Sequence, residues 1–221
     1  MTTSVHERWQ GAEAGRRYAG ERWAGARSAE RDPRIVARIL ARHGVGTGAA
    51  RVLDVPCGAG RLRRALESRS RRYVGVDISE PMLAEARRGA LVRASAFRLP
   101  FQENAFEAVV CCRLFHHLRD PHERSALLGE LVRVARRLVV VSFWDAASLH
   151  AWRHRVGRSR SAAREGRCAV SKAELALAAR DVGAEPLSFH HTFRFLSQQT
   201  FAVLGKLGSG LDGERGTRWS R

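Results

Sequence analysis

The chain of 221 residues reads as one doubly wound α/β domain, with a seven-stranded, mostly parallel sheet and an antiparallel C-terminal hairpin at its edge. Three observations predict this. Short apolar runs, RVLDV, YVGVD, EAVVCC and LVVVSF, alternate with segments of helical period, as repeated βα units do. EAVVCC and LVVVSF carry almost no charge, as strands covered by helices on both faces require. Near the C-terminus the pattern changes to two alternating runs, EPLSFHHTFRFL and TFAVLGKL, with a turn around Ser197 and Gln198.

Residues 1–30 are read as a partly flexible arm, because Gly11, Gly15, Gly20 and Gly25 interrupt an Arg- and Ala-rich stretch holding Trp9, Tyr18 and Trp23. Asp32 before Pro33 reads as a helix cap, and Ile35, Val36, Ile39 and Leu40 recur at helical spacing up to Gly44. The first strand, 51–55, turns through glycines into a helix, RLRRALESR. The second strand, 73–77, leads to a helix capped by Ser79 with Pro81 just inside it. A third strand is expected at 91–94 and a fourth at 107–112. Asp120 and Pro121 open a helix whose apolar side is Leu127, Leu128, Leu131, Val132 and Ala135, and the fifth strand follows at 138–143.

Residues 145–169 form a basic insertion with arginines at 153, 155, 158, 160, 164 and 167. Ser171 and Glu174 then have capping-box spacing ahead of Leu175 and Leu177 to Ala179, and Gly183 ends that helix. The domain is expected to run over 31–208, with a flexible tail at 209–221.

Composition narrows the function classes. An apolar share of 44% with 28% charged residues excludes a disordered chain, and four cysteines without CxxC spacing argue for reduced thiols in a cytoplasmic setting. The N-terminus has no signal-peptide pattern. The longest apolar run falls far short of the about eighteen residues that cross a bilayer. The formal charge is +17, and since only Lys172 and Lys206 are lysines, 37 of the 39 basic residues are arginine. That field suits an anionic or nucleic-acid partner, or reflects coding drift.

The segment VLDVPCGAGRL, 52–62, places Asp54 at the carboxyl end of the first strand and Gly58 and Gly60 in the turn beyond it. This is the geometry of a ligand crevice whose charge suits a cationic or donor-rich ligand. Asp77 ends the second strand about twenty residues further on, within reach of a ribose diol. The first turn does not read GxGxxG, which argues against a dinucleotide.

These residues resemble the class I, Rossmann-like S-adenosylmethionine-dependent methyltransferases, in particular the quinone- and small-molecule-methylating group, over roughly residues 50–144. The resemblance implies that the turn with Asp54, Pro56, Cys57, Gly58 and Gly60 holds the methionine end of S-adenosylmethionine. It also implies that Asp77 takes the ribose hydroxyls and that Ile78 packs on the adenine. Two positions depart from the family pattern: Pro56 replaces the first glycine, and in ASAFRLPF Ser95 stands where an acid is usual, leaving Ser95, Ala96 and Phe97 beside the adenine. AVVCCRLFHHLRDP, 108–121, is similar to the segment that lines the family's cofactor and acceptor pocket. It supplies Arg113 on the cofactor side, Leu114 on the acceptor side, and His116 and His117 as catalytic candidates.

Methyl transfer from a sulfonium needs positioning more than covalent help, and an acceptor that loses a proton needs a base; an ordinary imidazole titrates at about 6.5, so His117 or His116 serves. Packing at the helix start is the blander reading of both. Tyr18, Trp144, Trp152, Arg153 and His191 complete the substrate candidates, the acceptor being small, anionic or lipid-like. No metal is expected: His116, His117 and His122 lack a completing ligand. An RNA methyltransferase and a non-catalytic S-adenosylmethionine-binding module are the rival readings, in a monomer or homodimer.

Overall fold

The computed structural model describes residues 30–45, 50–68, 72–86, 89–148, 151, 168–191 and 199–208. Tyr18, Trp152, Arg153, the rest of residues 1–29, most of the basic insertion, the Ser197–Gln198 turn and the C-terminal tail lie outside the described residues.

Among the described residues seven strands form one sheet in the order β3-β2-β1-β4-β5-β7-β6. They are β1 (Arg51–Asp54), β2 (Arg72–Asp77), β3 (Ala90–Arg93), β4 (Phe106–Cys111), β5 (Ala135–Trp144), β6 (Ala184–His191) and β7 (Gln199–Lys206). The first five pair in parallel, whereas β7 runs antiparallel to both β5 and β6. The hairpin expected from its alternating pattern is therefore present, and its second strand lies inside the sheet.

Among the described residues five helices precede or connect the strands: α1 (Arg31–Arg42), α2 (Arg63–Glu67), α3 (Glu80–Ala86), α4 (Pro121–Val134) and α5 (Lys172–Asp181), with a one-turn 3-10 helix at Phe115–His117. The period-2 alternation of β4 and β5 divides two apolar layers. Ala108, Val110, Leu138 and Val140 pack with Val36, Ile39, Leu40 and Leu66 of α1 and α2. Val109, Cys111, Val139, Val141 and Phe143 pack with Leu127, Leu131 and Leu175 of α4 and α5.

Two helix starts follow the expected chemistry. Asp120 caps α4 by accepting the His122 amide at 2.9 Å, and Ser171 and Glu174 make the reciprocal capping box of α5. Two others differ. α1 begins at Arg31, one residue before Asp32, so Asp32 is no cap; its carboxylate is buried and turned onto residues far along the chain. α4 passes into β5 without a loop, because Arg136 and Arg137 already lie beside Glu107 of β4 and pair with it, the Arg137 Nη1 to Oε1 distance being 2.8 Å. On α5, Leu177 points outward and is exposed, while Leu175 and Ala179 are buried.

The strand order reverses between β1 and β4, so the crevice of this sheet opens where Asp54, the 55–61 turn and residues 112–117 meet.

Candidate active site

Asp54 ends β1 and is buried. Its Oδ2 accepts the Tyr73 hydroxyl at 3.2 Å, and its Oδ1 is buried with no hydrogen-bond partner among the described residues. Burial pushes the carboxyl up to about 7, and the Tyr73 hydrogen bond and the Arg61 charge pull in the other direction. The same burial, with Asp54 close by, raises the Tyr73 hydroxyl and the Cys57 thiol.

The turn after β1 is tied to the end of β2. The Cys57 amide donates to the Val76 carbonyl at 2.8 Å, and the Gly58 amide donates to Asp77 Oδ2 at 2.8 Å. Gly58 stands at φ +54° with open space where a Cβ would project, and Gly60 at φ +79°. These are backbone conformations that glycine adopts without the Cβ penalty, and they leave the turn bare for a ligand to approach. The Val55–Pro56 peptide is cis.

Asp77 Oδ1 accepts the Ser79 amide at 2.9 Å, so backbone donors fix both of its oxygens in place; burial nonetheless raises its carboxyl. Each oxygen keeps a further lone pair for a hydroxyl. Ile78 beside it is half-buried. Residues 95–98 form a tight turn in which Ser95 Oγ accepts the Phe97 amide at 3.2 Å and the Ser95 carbonyl accepts the Arg98 amide at 3.1 Å. The preceding Ala94 amide donates to the Asp77 carbonyl at 3.1 Å, which puts Ser95, Ala96 and Phe97 next to the end of β2. The turn is held from below by α4. Glu130 accepts the Leu99 amide at 2.6 Å, and Arg133 donates to the Leu99 and Phe101 carbonyls at 3.1 and 2.8 Å while pairing with Glu130. That pairing lowers the Glu130 carboxyl and raises Arg133.

On the other side of the crevice, Arg113 leaves β4 with φ +67°, a left-handed conformation that costs a non-glycine residue about 1 kcal/mol. Its amide is taken by Ser142 Oγ at 2.7 Å. Its guanidinium is directed to Asp32, with Nε 2.9 Å from Oδ2, which differs from the cofactor contact expected of it. Leu114 and His117 are half-buried; His116 is buried and lies parallel to Trp144, ring centroids 4.8 Å apart and planes 6° off, with His117 4.5 Å from it. His191 is occupied otherwise: Nε2 lies 3.1 Å from Lys172 Nζ and Nδ1 3.0 Å from Thr200 Oγ1. An ammonium only donates, so Nε2 accepts and Nδ1–H donates to the threonine.

The predicted residues thus fall into two groups, Asp54, Cys57, Gly58, Gly60 and Asp77 around one turn, and His116, His117 and Trp144 in one aromatic stack. Sequence reasoning missed Tyr73, Asp32, Arg61, Glu130, Arg133, Ser142 and Gln199. Of these only Ser142 left a signal, as the one polar residue within LVVVSF.

A mostly parallel sheet of this order, with an acid at the end of each of the first two strands and a glycine turn between them, is a Rossmann-like arrangement whose crevice lies at the reversal of strand order. Residues 52–137, under half of the chain, match the family model described as methyltransferase domain. Among individual relatives, the chain is 41% identical over 106 residues to demethylmenaquinone methyltransferase of Thermus thermophilus, covering 42% of this chain and 47% of the relative. It is 33% identical over 97 residues to ubiquinone biosynthesis O-methyltransferase of Aromatoleum aromaticum, covering 40% and 42%. The matched stretch therefore spans less than half the length of these relatives. In fold it is similar to magnesium protoporphyrin IX methyltransferase from Synechocystis PCC 6803 with bound SAH, with a TM-score of 0.76 at 18% identity over 93% of this chain and 100% of that one. Among the described residues no helix is long and apolar enough to cross a membrane.

Proposed function

We propose that the chain transfers a methyl group from S-adenosylmethionine to a small-molecule acceptor with a ring of quinone or porphyrin type, and that residues 31–208 are its catalytic domain. The observation that carries this reading is the buried, unpartnered Oδ1 of Asp54 beside the open Gly58 turn. An acceptor atom without a donor in a buried site is costly, and a ligand ammonium or amide supplies the missing donor. The donor set fits: Asp54 and the 56–60 turn would hold the methionine end, Asp77 the ribose hydroxyls, and Ile78, Ser95, Ala96 and Phe97 the adenine.

Bound there, the cofactor supplies a methyl on a cationic sulfonium, so the protein's task is placement and exclusion of water. The turn at Arg113 and Leu114 and the His116–Trp144 stack form the acceptor wall, its flat aromatic surface matching a planar ring. His117, the less buried histidine of the pair, would take the acceptor's proton. The basic insertion, with Trp152 and Arg153, and the arm with Tyr18 are the segments proposed to favour an anionic acceptor.

Calorimetry with S-adenosylhomocysteine tests the cofactor half. Asp77→Ala should weaken binding by about a hundredfold, the loss of two hydroxyl contacts at about 1–2 kcal/mol each; equal binding by the variant would remove Asp77 from the site. Assay against a panel of quinols, catechols, porphyrins and RNA tests the acceptor half, and selective turnover of RNA would overturn the small-molecule reading.

A further inference from the structure

Asp32 is a buried carboxylate that the reading above leaves without a role. It lies in the first turn of α1, 2% exposed, and its Oδ2 collects donors from three other places in the fold. Arg61 Nη1 stands at 2.9 Å, Arg113 Nε and Nη2 both at 2.9 Å, and Gln199 Nε2 at 3.4 Å. The Cys112 thiol is a second shared acceptor, 3.3 Å from Arg61 Nη2 and 3.8 Å from Gln199 Nε2.

Each of these partners belongs to a different wall of the crevice. Arg61 directly follows Gly60 in the turn that closes onto Asp77. Arg113 is the left-handed residue that directs the chain from β4 toward the His116–Trp144 stack. Gln199 opens β7 and pairs in register with Trp144. We propose that Asp32 is a positioning residue for transfer, one carboxylate oxygen fixing the cofactor turn and the acceptor wall relative to each other. The inference rests on the methyltransferase reading for its purpose, and on geometry alone for the coupling.

The physical reason lies in burial. A carboxylate out of water is sustained only by paired donors, and two guanidiniums from separate walls supply them. Neither wall can shift outward without withdrawing a charged donor from a buried charge. A helix cap would tie α1 to itself, and a single ion pair would tie it to one neighbour; this arrangement joins α1, the 58–61 turn, the 112–117 segment and β7.

Hydrogen exchange on the full chain, read well below the unfolding midpoint and without ligand, tests the coupling. In Asp32→Asn the amides of Gly58, Gly60, Arg113 and His117 should lose protection together, by about tenfold or more, while those of β1, β4 and β5 keep theirs. Arg113→Lys, which keeps the charge but loses the two-nitrogen fork, should loosen Arg113 and His117 alone, and Arg61→Lys should loosen Gly58 and Gly60 alone; these two variants carry the test if Asp32→Asn does not fold. S-adenosylhomocysteine binding to folded Asp32→Asn should weaken about tenfold, a change that a role in global stability would not produce. Uniform loss of protection across the sheet, or loosening confined to α1, would overturn the proposal. Failure of the wild-type chain to bind S-adenosylhomocysteine would sink the cofactor reading instead, with the exchange pattern still deciding whether the two walls are coupled.

Discussion

The amide of Arg113 donates to Ser142 Oγ at 2.7 Å, joining the residue that leaves β4 to a buried hydroxyl inside β5, 29 positions away. Arg113 is left-handed at this point, and the bond is part of what holds it so. Ser142→Ala removes the acceptor and leaves a part-buried N–H. A loss of about 1–3 kcal/mol in urea denaturation is expected, with weaker acceptor binding at unchanged cofactor affinity.

Asp54 gives a pH dependence with a definite sign. An unfolded aspartate releases its proton near 3.8, whereas in the folded chain burial holds the proton up to about 7. Between those values the folded state binds the extra proton, so this group's contribution to stability falls as pH rises, by up to about 1.4 kcal/mol per unit, and levels off above about 7. Denaturation of the wild type against Asp54→Asn between about pH 5 and 8 isolates the effect, because the asparagine does not titrate. Parallel slopes would show that Asp54 is not the group responsible. A ligand ammonium favours the ionised carboxylate, so affinity for S-adenosylhomocysteine, whose amino-acid end carries one, should rise over the same interval in the wild type only.

Gly75 is packed so closely that an added Cβ would come within 2.9 Å of Leu91 Cδ2 and of the Tyr73 hydroxyl, and 3.0 Å of Cys57 Sγ. Gly75→Ala is expected to cost about 1–3 kcal/mol by overpacking. It should also displace the Tyr73 hydroxyl from Asp54, which a changed pH midpoint for S-adenosylhomocysteine binding would report.

Glu130 holds the 95–101 segment from α4 through the Leu99 amide. Its carboxyl is lowered, chiefly by the Arg133 hydrogen bond, so its contribution is present above the unfolded value near 4.5 and is lost as pH falls through the folded one. Glu130→Ala should destabilise the fold by about 1–2 kcal/mol at neutral pH and by less in acid. Faster exchange of the Leu99 amide is the local measure; an unchanged rate would show that Arg133 alone holds the segment.

The same dipeptide shows how far the sequence could be read. Asp120-Pro121 and Asp32-Pro33 both look like a cap followed by a first-turn proline, and only the former is one. Nothing local separates them: Asp32 is drawn inward by Arg61 and Arg113, 29 and 81 residues away. The places of Asp54 and Asp77 at strand ends and of Gly58 in the turn were legible because each follows from a short local pattern in the chain. Tyr73 and Glu130 were not, and Ser142 showed only as the polar residue within LVVVSF, since their roles depend on which strand or helix comes to lie beside them. The hairpin was legible as an alternating pattern, but its insertion order was not, because alternation carries no information on which of two strands takes the inner place. His191 is placed by the same pattern, yet its imidazole is used by Lys172 and Thr200.

That insertion order bears on how the chain reaches its native state. β7 pairs with β5 along seven positions from Leu138 to Trp144, and seven of its own eight residues are buried. Until residues 199–206 dock, β5 presents the apolar run Leu138–Val141 as a free edge, open to pairing with another molecule. The hazard for misassembly is therefore concentrated in partly folded chains that have closed the parallel half of the sheet and still await their last strand. Substitutions that weaken β7 docking should lower the yield of soluble protein more than they lower the stability of the molecules that do fold.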